Sequence, residues 1–272
     1  MAVINLKTDQ KKPVIFGKIH SAFSLPPFFL PYYIYVPHNL KNKNNLLISI
    51  HGYTRNAAEH CFELAKIAEE KGIVLLVPHF SKVRYPRYQT LQPDKDSNLP
   101  EEALDALIEQ VSQSLNMDIK NIKVFAYSAG GQFIHRYLML DKNRSKISRV
   151  AIFAPGWFTF PDLDLEFPYG LKKSKKLLER KLTLQNYTTI KTRLFVGDRD
   201  INRAGNLKVN SRLDSQQGLT RIQRGRAWVQ SMNTAVSKKD SIEIEVINNI
   251  GHNFTKNINN DRVLNSVFGW LF

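Results

Sequence analysis

The chain has 272 residues, a hydrophobic share of 43%, a single cysteine (Cys61) and a formal net charge of +15. These values fit a folded chain with a substantial core and exclude extensive disorder and an internal disulfide. No Cys/His cluster has the spacing of a zinc site, and no apolar run approaches the roughly 18 residues that a membrane span needs.

The N-terminal stretch MAVINLKTDQKK has neither an apolar core segment nor a small-residue cleavage site, so the expectation is a soluble, cytoplasmic protein. PYYIYV (31–36) reads as an early strand and NLLISI (45–50) as a buried one that ends at His51-Gly52. AAEHCFELAKIAEEKG (57–72) carries apolar residues at helical spacing and closes on Gly72. GIVLLVP (72–78) is a buried strand, and Pro100 followed by EEALDALIEQVSQSL starts a helix with proline and acids in its first turn. NIKVFAY (121–127) predicts a strand, GGQFIHRYLML (130–140) a helix and RVAIFA (149–154) another strand. Residues 155–190 break this alternation with prolines, aromatics and charge, and read as an insertion after the sixth strand. RLFVG (193–197) resumes the sheet, followed by a polar loop (201–219), a helix near 220–237, the strand SIEIEVI (241–247) and a final helix near 258–271. Short apolar runs alternating with helical periods imply an α/β fold, a mostly parallel sheet with helices on both faces, as one domain over 1–272.

The chemistry centres on FAYSAGGQF (125–133). A strand that turns straight into a helix leaves its turning residue at positive φ, which is tolerated when the residues two before and two after lack bulk. Ala126 and Gly130 meet that need, so Ser128 stands on the bend and the Ala129 N–H opens the helix toward any developing oxyanion. A serine hydroxyl needs a base, and the base an orienting acid. VGDRD (196–200) offers Asp198 and Asp200 after one strand, and IGHNF (250–254) offers His252 after the last. All lie at strand C-terminal ends, the same edge as Ser128, in the chain order Ser, Asp, His. In HGYTRN (51–56), Gly52 lets the chain turn and the Tyr53 N–H is the candidate second oxyanion donor, with Thr54 the near alternative.

SAGGQF and the His-Gly oxyanion loop resemble serine hydrolases of the α/β-hydrolase superfamily, and more narrowly the bacterial esterases of the polyhydroxybutyrate depolymerase and feruloyl esterase type. The resemblance runs from about residue 30 to the end. It implies the α/β-hydrolase fold, Ser128 as nucleophile, His252 as base, Asp200 as acid from its G-x-x-D position, and the Tyr53 and Ala129 amides as the oxyanion hole. Ala126 replaces the first glycine of G-x-S-x-G, and the cysteines and signal peptide of many secreted depolymerases are absent, which argues against extracellular polymer digestion.

The expected reaction is hydrolysis of a carboxylic ester through an acyl-enzyme, with no cofactor and no metal, on a small-molecule or lipid-like substrate. The same machinery serves amides and thioesters. Trp157 and Phe158 in the insertion, with Phe160, Tyr85 and Tyr88, are candidates to line the substrate pocket. His51 and His135 read as structural, Cys61 as a small apolar residue, and Arg221, Arg224 and Arg226 as the charged outer face of a helix. The densest basic run, LKKSKKLLERK (171–181), reads as a solvated helix face. Its lysines, Lys172, Lys173, Lys175 and Lys176, are the candidates for contact with an anionic surface, which is the alternative role for a weakly active protein. Aromatic and basic residues are not interleaved as in nucleic-acid modules, so no nucleic-acid partner is expected. The sequence leaves the oligomeric state open.

Overall fold

A computed structural model describes residues 3–5, 13–93, 98–203, 205, 207–236 and 242–272. The chain divides into two compact units, Met1–Phe125 and Ala126–Phe272.

In the first unit, β1 (Val3–Asn5) and β2 (Pro13–Ile15) form a separate antiparallel pair. β3 (Ile19–Phe23) and β4 (Pro31–Tyr35) are antiparallel, β4 is antiparallel to β6 (Val74–Pro78), and β6 runs parallel to β5 (Asn45–Ile50). Near-continuous burial of β5 and β6 follows from their unbroken apolar sequences. α1 (Ala57–Lys71) buries Ala57, His60, Cys61, Leu64, Ile67 and Ala68, one face of a 3.6-residue period, and ends at Gly72 in the left-handed conformation (φ 62°). α2 (Pro100–Ser114) starts on the proline, with Glu101 and Glu102 in its first turn. β7 (Asn121–Tyr127) runs through the division between the units.

In the second unit, α3 (Ala129–Tyr137) follows β7, then come β8 (Ile147–Phe153), α4 (Ser174–Leu178), β9 (Lys191–Gly197), α5 (Ser211–Gln217), α6 (Arg221–Val236), β10 (Ile242–Ile247) and α7 (Phe254–Ile258). β8, β9 and β10 are parallel neighbours, with Ile247 opposite Gly197 at their C-terminal ends. The main sheet is mixed and mostly parallel, with eight strands in the order β10-β9-β8-β7-β5-β6-β4-β3, and β8 is its sixth strand along the chain.

Between β8 and β9 lies a long stretch in which the only α-helix among the described residues is α4. It is pinned where Phe158 stacks on Trp228 (4.8 Å between centroids) and the Trp228 indole N–H donates to the Thr159 carbonyl (3.0 Å). The basic run forms a solvated helix face only over α4, where Lys175 and Lys176 are exposed. α4 has five residues, Lys173 pairs with Glu166 (2.6 Å) and Lys181 with Asp141 (3.3 Å), and only Ser174 and Leu178 of the helix are buried. Positive-φ residues at Lys173 and Glu179 stop it at both ends.

β1, β2 and β3 were not legible as strands. In β3, Ile-His-Ser-Ala-Phe alternates exposed and half-buried positions, so no apolar run marks it. The final helix is broken into Phe254–Ile258 and a stretch from Asp261 to Leu271 with a π-helical turn at Leu264–Phe268. Ser237, at the end of the helix read near 220–237, and Ser241, the first residue of SIEIEVI, lie outside the described residues. So do Ala204 and Asn206 of the polar loop. Among the described residues, no helix is long and apolar enough to cross a membrane.

Three histidines are fully buried. His51 accepts the Phe80 N–H on Nε2 (3.0 Å), and its Nδ1–H donates to the Gly52 carbonyl (2.9 Å). His60 shares a 2.8 Å hydrogen bond with the Ser49 hydroxyl. In the second unit, His135 donates from Nδ1 to the Gly131 carbonyl (2.9 Å) and accepts the Thr159 N–H on Nε2 (3.0 Å). Burial pushes His51 from 6.5 down to about 3 and holds His60 and His135 well below 6.5. Folded-state values below the unfolded value mean that the unfolded chain binds more protons in this window, so the stability is full above about pH 6.5 and is lost as pH falls toward the folded values. Urea unfolding at pH 5.5 is therefore expected to show a loss of about 1 kcal/mol per buried histidine relative to pH 7.5. His60→Gln should reduce that pH dependence, and a midpoint equal at the two pH values would contradict the assignment.

Candidate active site

Ser128 sits at the junction of β7 and α3 with φ 52° and ψ −112°, the strained turn expected from FAYSAGG. Its N–H donates to the Phe153 carbonyl at the end of β8 (2.7 Å), which ties the bend to the neighbouring strand. A Cβ on Gly131 would lie 2.9 Å from the Ile152 side chain, so this glycine lets the first turn of α3 press against β8. Only the first N–H groups of a helix lack partners within it, and the Ala129 N–H is one of these, adjacent to the serine.

His252 lies in the loop between β10 and α7. Its Nε2 faces the Ser128 hydroxyl, which donates to it at 3.2 Å, and its Nδ1–H donates to Asp200 Oδ2 at 2.7 Å. The ring stacks on Tyr127, the residue before the serine (5.2 Å, 30°), and Phe254 packs edge-on against the same tyrosine. Asn257 holds the loop from below through a 2.9 Å hydrogen bond to the Gly251 carbonyl. A close backbone approach sets the spacing of the acid and histidine loops. A Cβ on Gly197 would lie 2.0 Å from the Ile250 carbonyl oxygen, so this end of β9 admits only glycine.

The two candidate acids have separate surroundings. Asp198 accepts the Ile250 N–H (3.3 Å) and bridges the two loops. Asp200, 2% exposed, meets His252 on one oxygen and, on the other, receives a 2.6 Å hydrogen bond from Arg221 Nη1. Arg221 is itself 2% exposed, and its burial outweighs the Asp200 charge, so its guanidinium is lowered from its ordinary value.

Arg221 corrects the sequence reading. It and Arg224 are buried, while Arg226 is exposed, so the arginines of α6 do not share one solvated face. The buried set Arg221, Arg224, Gly225, Trp228, Val229 and Met232 follows the i, i+3, i+4, i+7, i+8, i+11 spacing of a core-facing stripe. That spacing was a signal in the sequence, because arginines on the same stripe as Trp228 demand buried counter-charges. Arg224 pairs with Asp214 (2.8 Å) and donates from Nη1 to the carbonyls of Gly156 (2.6 Å) and Lys208 (2.9 Å).

Of the other residues singled out from sequence, Tyr53 belongs to the first unit, in the turn after β5, with an exposed side chain. The Tyr88 hydroxyl donates to the His51 carbonyl (2.7 Å) beneath this turn, and the Tyr85 hydroxyl donates to the Phe28 carbonyl (3.3 Å); both tyrosines are fully buried. Arg55 braces the turn by hydrogen bonds to the carbonyls of Phe80, Tyr85 and Pro86. His51 and His135 are the structural histidines expected, and Cys61 is buried in α1. Phe158 is core, fixed by Trp228 and by both ends of the Gln217 amide. Trp157, 6% exposed, lies between Arg136 (4.3 Å from its ring) and Lys208 (5.3 Å). Among the described residues, no group of three or more His, Cys, Asp or Glu side chains could hold a metal ion.

No family model matches the chain, and neither does any curated protein. Among solved structures it is similar to poly(aspartic acid) hydrolase-1 from Sphingomonas sp. KT-1, with TM-score 0.74 and 22% identity over 89% of this chain and 96% of that one. It is similar to the poly(3-hydroxybutyrate) depolymerase LpqC from Bordetella parapertussis, with TM-score 0.74 and 21% identity over 88% and 84%. A third similarity is to an S-formylglutathione hydrolase from Agrobacterium tumefaciens, with TM-score 0.59 and 12% identity over 94% and 95%. The fold is that of the α/β-hydrolases.

Replacing Arg221 with methionine strands the Asp200 carboxylate in a buried position beside His252 alone. The expected cost is about 3 kcal/mol of unfolding free energy, since breaking a buried pair leaves an uncompensated charge. Guanidinium denaturation reads it, and a change below about 0.5 kcal/mol, the range of ordinary surface substitutions, would contradict the pairing.

Proposed function

We propose that the protein is a serine hydrolase that cleaves a carboxylic ester through an acyl-enzyme. The observation that carries this reading is the chain of hydrogen bonds from the Ser128 hydroxyl to His252 Nε2 (3.2 Å) and from His252 Nδ1–H to Asp200 (2.7 Å), with the serine on a positive-φ bend. The fold shared with a depolymerase and an S-formylglutathione hydrolase supports hydrolysis as the reaction class.

In this mechanism, His252 Nε2 takes the Ser128 proton as Oγ attacks the ester carbonyl. Asp200 fixes the imidazole tautomer and stabilises the imidazolium that forms. The Ala129 N–H donates to the oxyanion, and the positive end of α3 favours the charge that develops there. The second donor is the Tyr53 N–H, proposed from its position after His51-Gly52 in the sequence. Protonated His252 then gives its proton to the departing alkoxide, which leaves as the alcohol. A water molecule repeats the attack on the acyl-serine, restores the Ser128 hydroxyl and releases the acid. Arg221 acts through Asp200 as a positioning residue, because it occupies the carboxylate oxygen that His252 does not use.

Purified protein is expected to hydrolyse 4-nitrophenyl acetate, butyrate or octanoate, with kcat/KM reduced by about 10³-fold or more in Ser128→Ala and in His252→Asn, as for members of a catalytic unit. Full activity in pure Ser128→Ala would overturn the proposal. Corresponding 4-nitroanilides and thioesters, run on the same preparation, read the preference among ester, amide and thioester.

A further inference from the structure

The second unit carries a cluster of cations on aromatic faces that the proposed acyl transfer does not use. Trp157 and Tyr169 pack with ring centroids 5.2 Å apart at 55°. The Lys208 ammonium lies 5.3 Å from both centroids, and the Arg212 guanidinium lies 5.7 Å from the Tyr169 ring. On the buried side, Arg136 sits 4.3 Å from the Trp157 ring and donates to the Thr159 hydroxyl (2.7 Å) and the Gln132 carbonyl (2.7 Å). Burial lowers the Arg136 guanidinium to about 9. Burial alone would raise the Tyr169 phenol, but its hydrogen bond to Lys208 and the charges of Lys208 and Arg212 leave it lowered.

Carboxylates nearby are already engaged. Glu166 is held by Lys173 (2.6 Å), Asp214 by Arg203 (2.6 Å) and Arg224 (2.8 Å), and Asp162 accepts the N–H groups of Asp164 and Leu165. Among the described residues, Lys208 and Arg212 form no ion pair within 4.0 Å, and both are exposed. Two cations held against aromatic rings, with solvent on their outer side, are a ready site for an anion.

The cluster is tied to the serine. Arg224 clamps the backbone at Gly156 and at Lys208 to α6. At Gly156, a Cβ would lie 3.4 Å from the Gln132 amide and 3.7 Å from Leu207. The Gln132 N–H donates to the Ser128 carbonyl (3.2 Å), one turn into α3, and a helical turn advances about 5.4 Å.

We infer that Lys208 and Arg212, seated on the Trp157–Tyr169 pair, form a subsite for a substrate carboxylate, so that an ester whose acyl group carries a negative charge is preferred over its uncharged counterpart. The inference rests on Ser128 as nucleophile. The net charge of +15 acts in the same direction by concentrating anionic substrates around the protein.

The test compares kcat/KM for mono(4-nitrophenyl) glutarate with that for 4-nitrophenyl valerate, an uncharged ester of equal chain length. The expected preference for the glutarate ester is about 10-fold or more, the worth of a charge-assisted hydrogen bond. It should collapse in Lys208→Ala/Arg212→Ala and persist in Lys208→Arg/Arg212→Lys. Equal rates on the two esters, or a preference that survives the double alanine variant, would overturn the subsite while leaving the nucleophile assignment intact. If neither ester is turned over, the nucleophile assignment fails separately, and calorimetric titration with glutarate reads the subsite directly. Binding weakened in the double alanine variant would then support a carboxylate site, and no binding, or binding unaffected by it, would overturn it.

Discussion

Asp200 is buried at the end of β9 with each carboxylate oxygen committed, one to the Arg221 guanidinium and one to the His252 imidazole. An ionised carboxylate removed from water needs such partners, and their geometry fixes everything attached to them. Through His252 the carboxylate sets the ring that meets Ser128. Through Arg221 it anchors the start of α6 against the C-terminal edge of the sheet. The two loops that bring acid and imidazole together depend in turn on Gly197, where the Ile250 carbonyl occupies the space a side chain would need. The proposed triad is thus supported by a buried ion pair and a backbone contact, both outside the three residues themselves.

α6 extends that support to the insertion. One turn beyond Arg221, Arg224 holds Asp214 and two carbonyls, and a further turn on, Trp228 carries the stacked Phe158 and the hydrogen bond to Thr159. A single helix therefore orients the acid and fixes the segments that bear Trp157 and Lys208. This arrangement gives a long stretch with little regular structure buried side-chain anchors on α6, beside its own backbone hydrogen bonds such as Phe160 N–H to the Tyr169 carbonyl (2.8 Å) and Leu171 N–H to the Asp162 carbonyl (2.7 Å).

The sheet strands from PYYIYV onward, the helices α1 and α2 and the serine bend were legible because their signals are local: unbroken apolar runs, a proline start, a glycine stop and small residues flanking a serine. The partners of Ser128 were legible from their positions after predicted strands, although choosing Asp200 over Asp198 rested on the resemblance rather than on spacing. What could not be read from local pattern depends on distant residues. β3 is a half-exposed edge strand whose alternation lacks apolar contrast, and the basic run yields only a five-residue helix, bounded by positive-φ residues at Lys173 and Glu179. Arg221 and Arg224 looked like an outer face because arginine usually is one. Their burial is set by Asp200 and Asp214, which lie 21 and 10 residues away in the chain.

The central claim is that Ser128 is a nucleophile activated by this network, and covalent trapping tests it most directly. Native protein incubated with a fluorophosphonate and then digested should yield one phosphonylated peptide, modified at Ser128, and Asp200→Asn should slow the labelling sharply. Absence of the adduct, or labelling at Ser128 that proceeds equally fast in Asp200→Asn, would contradict the account.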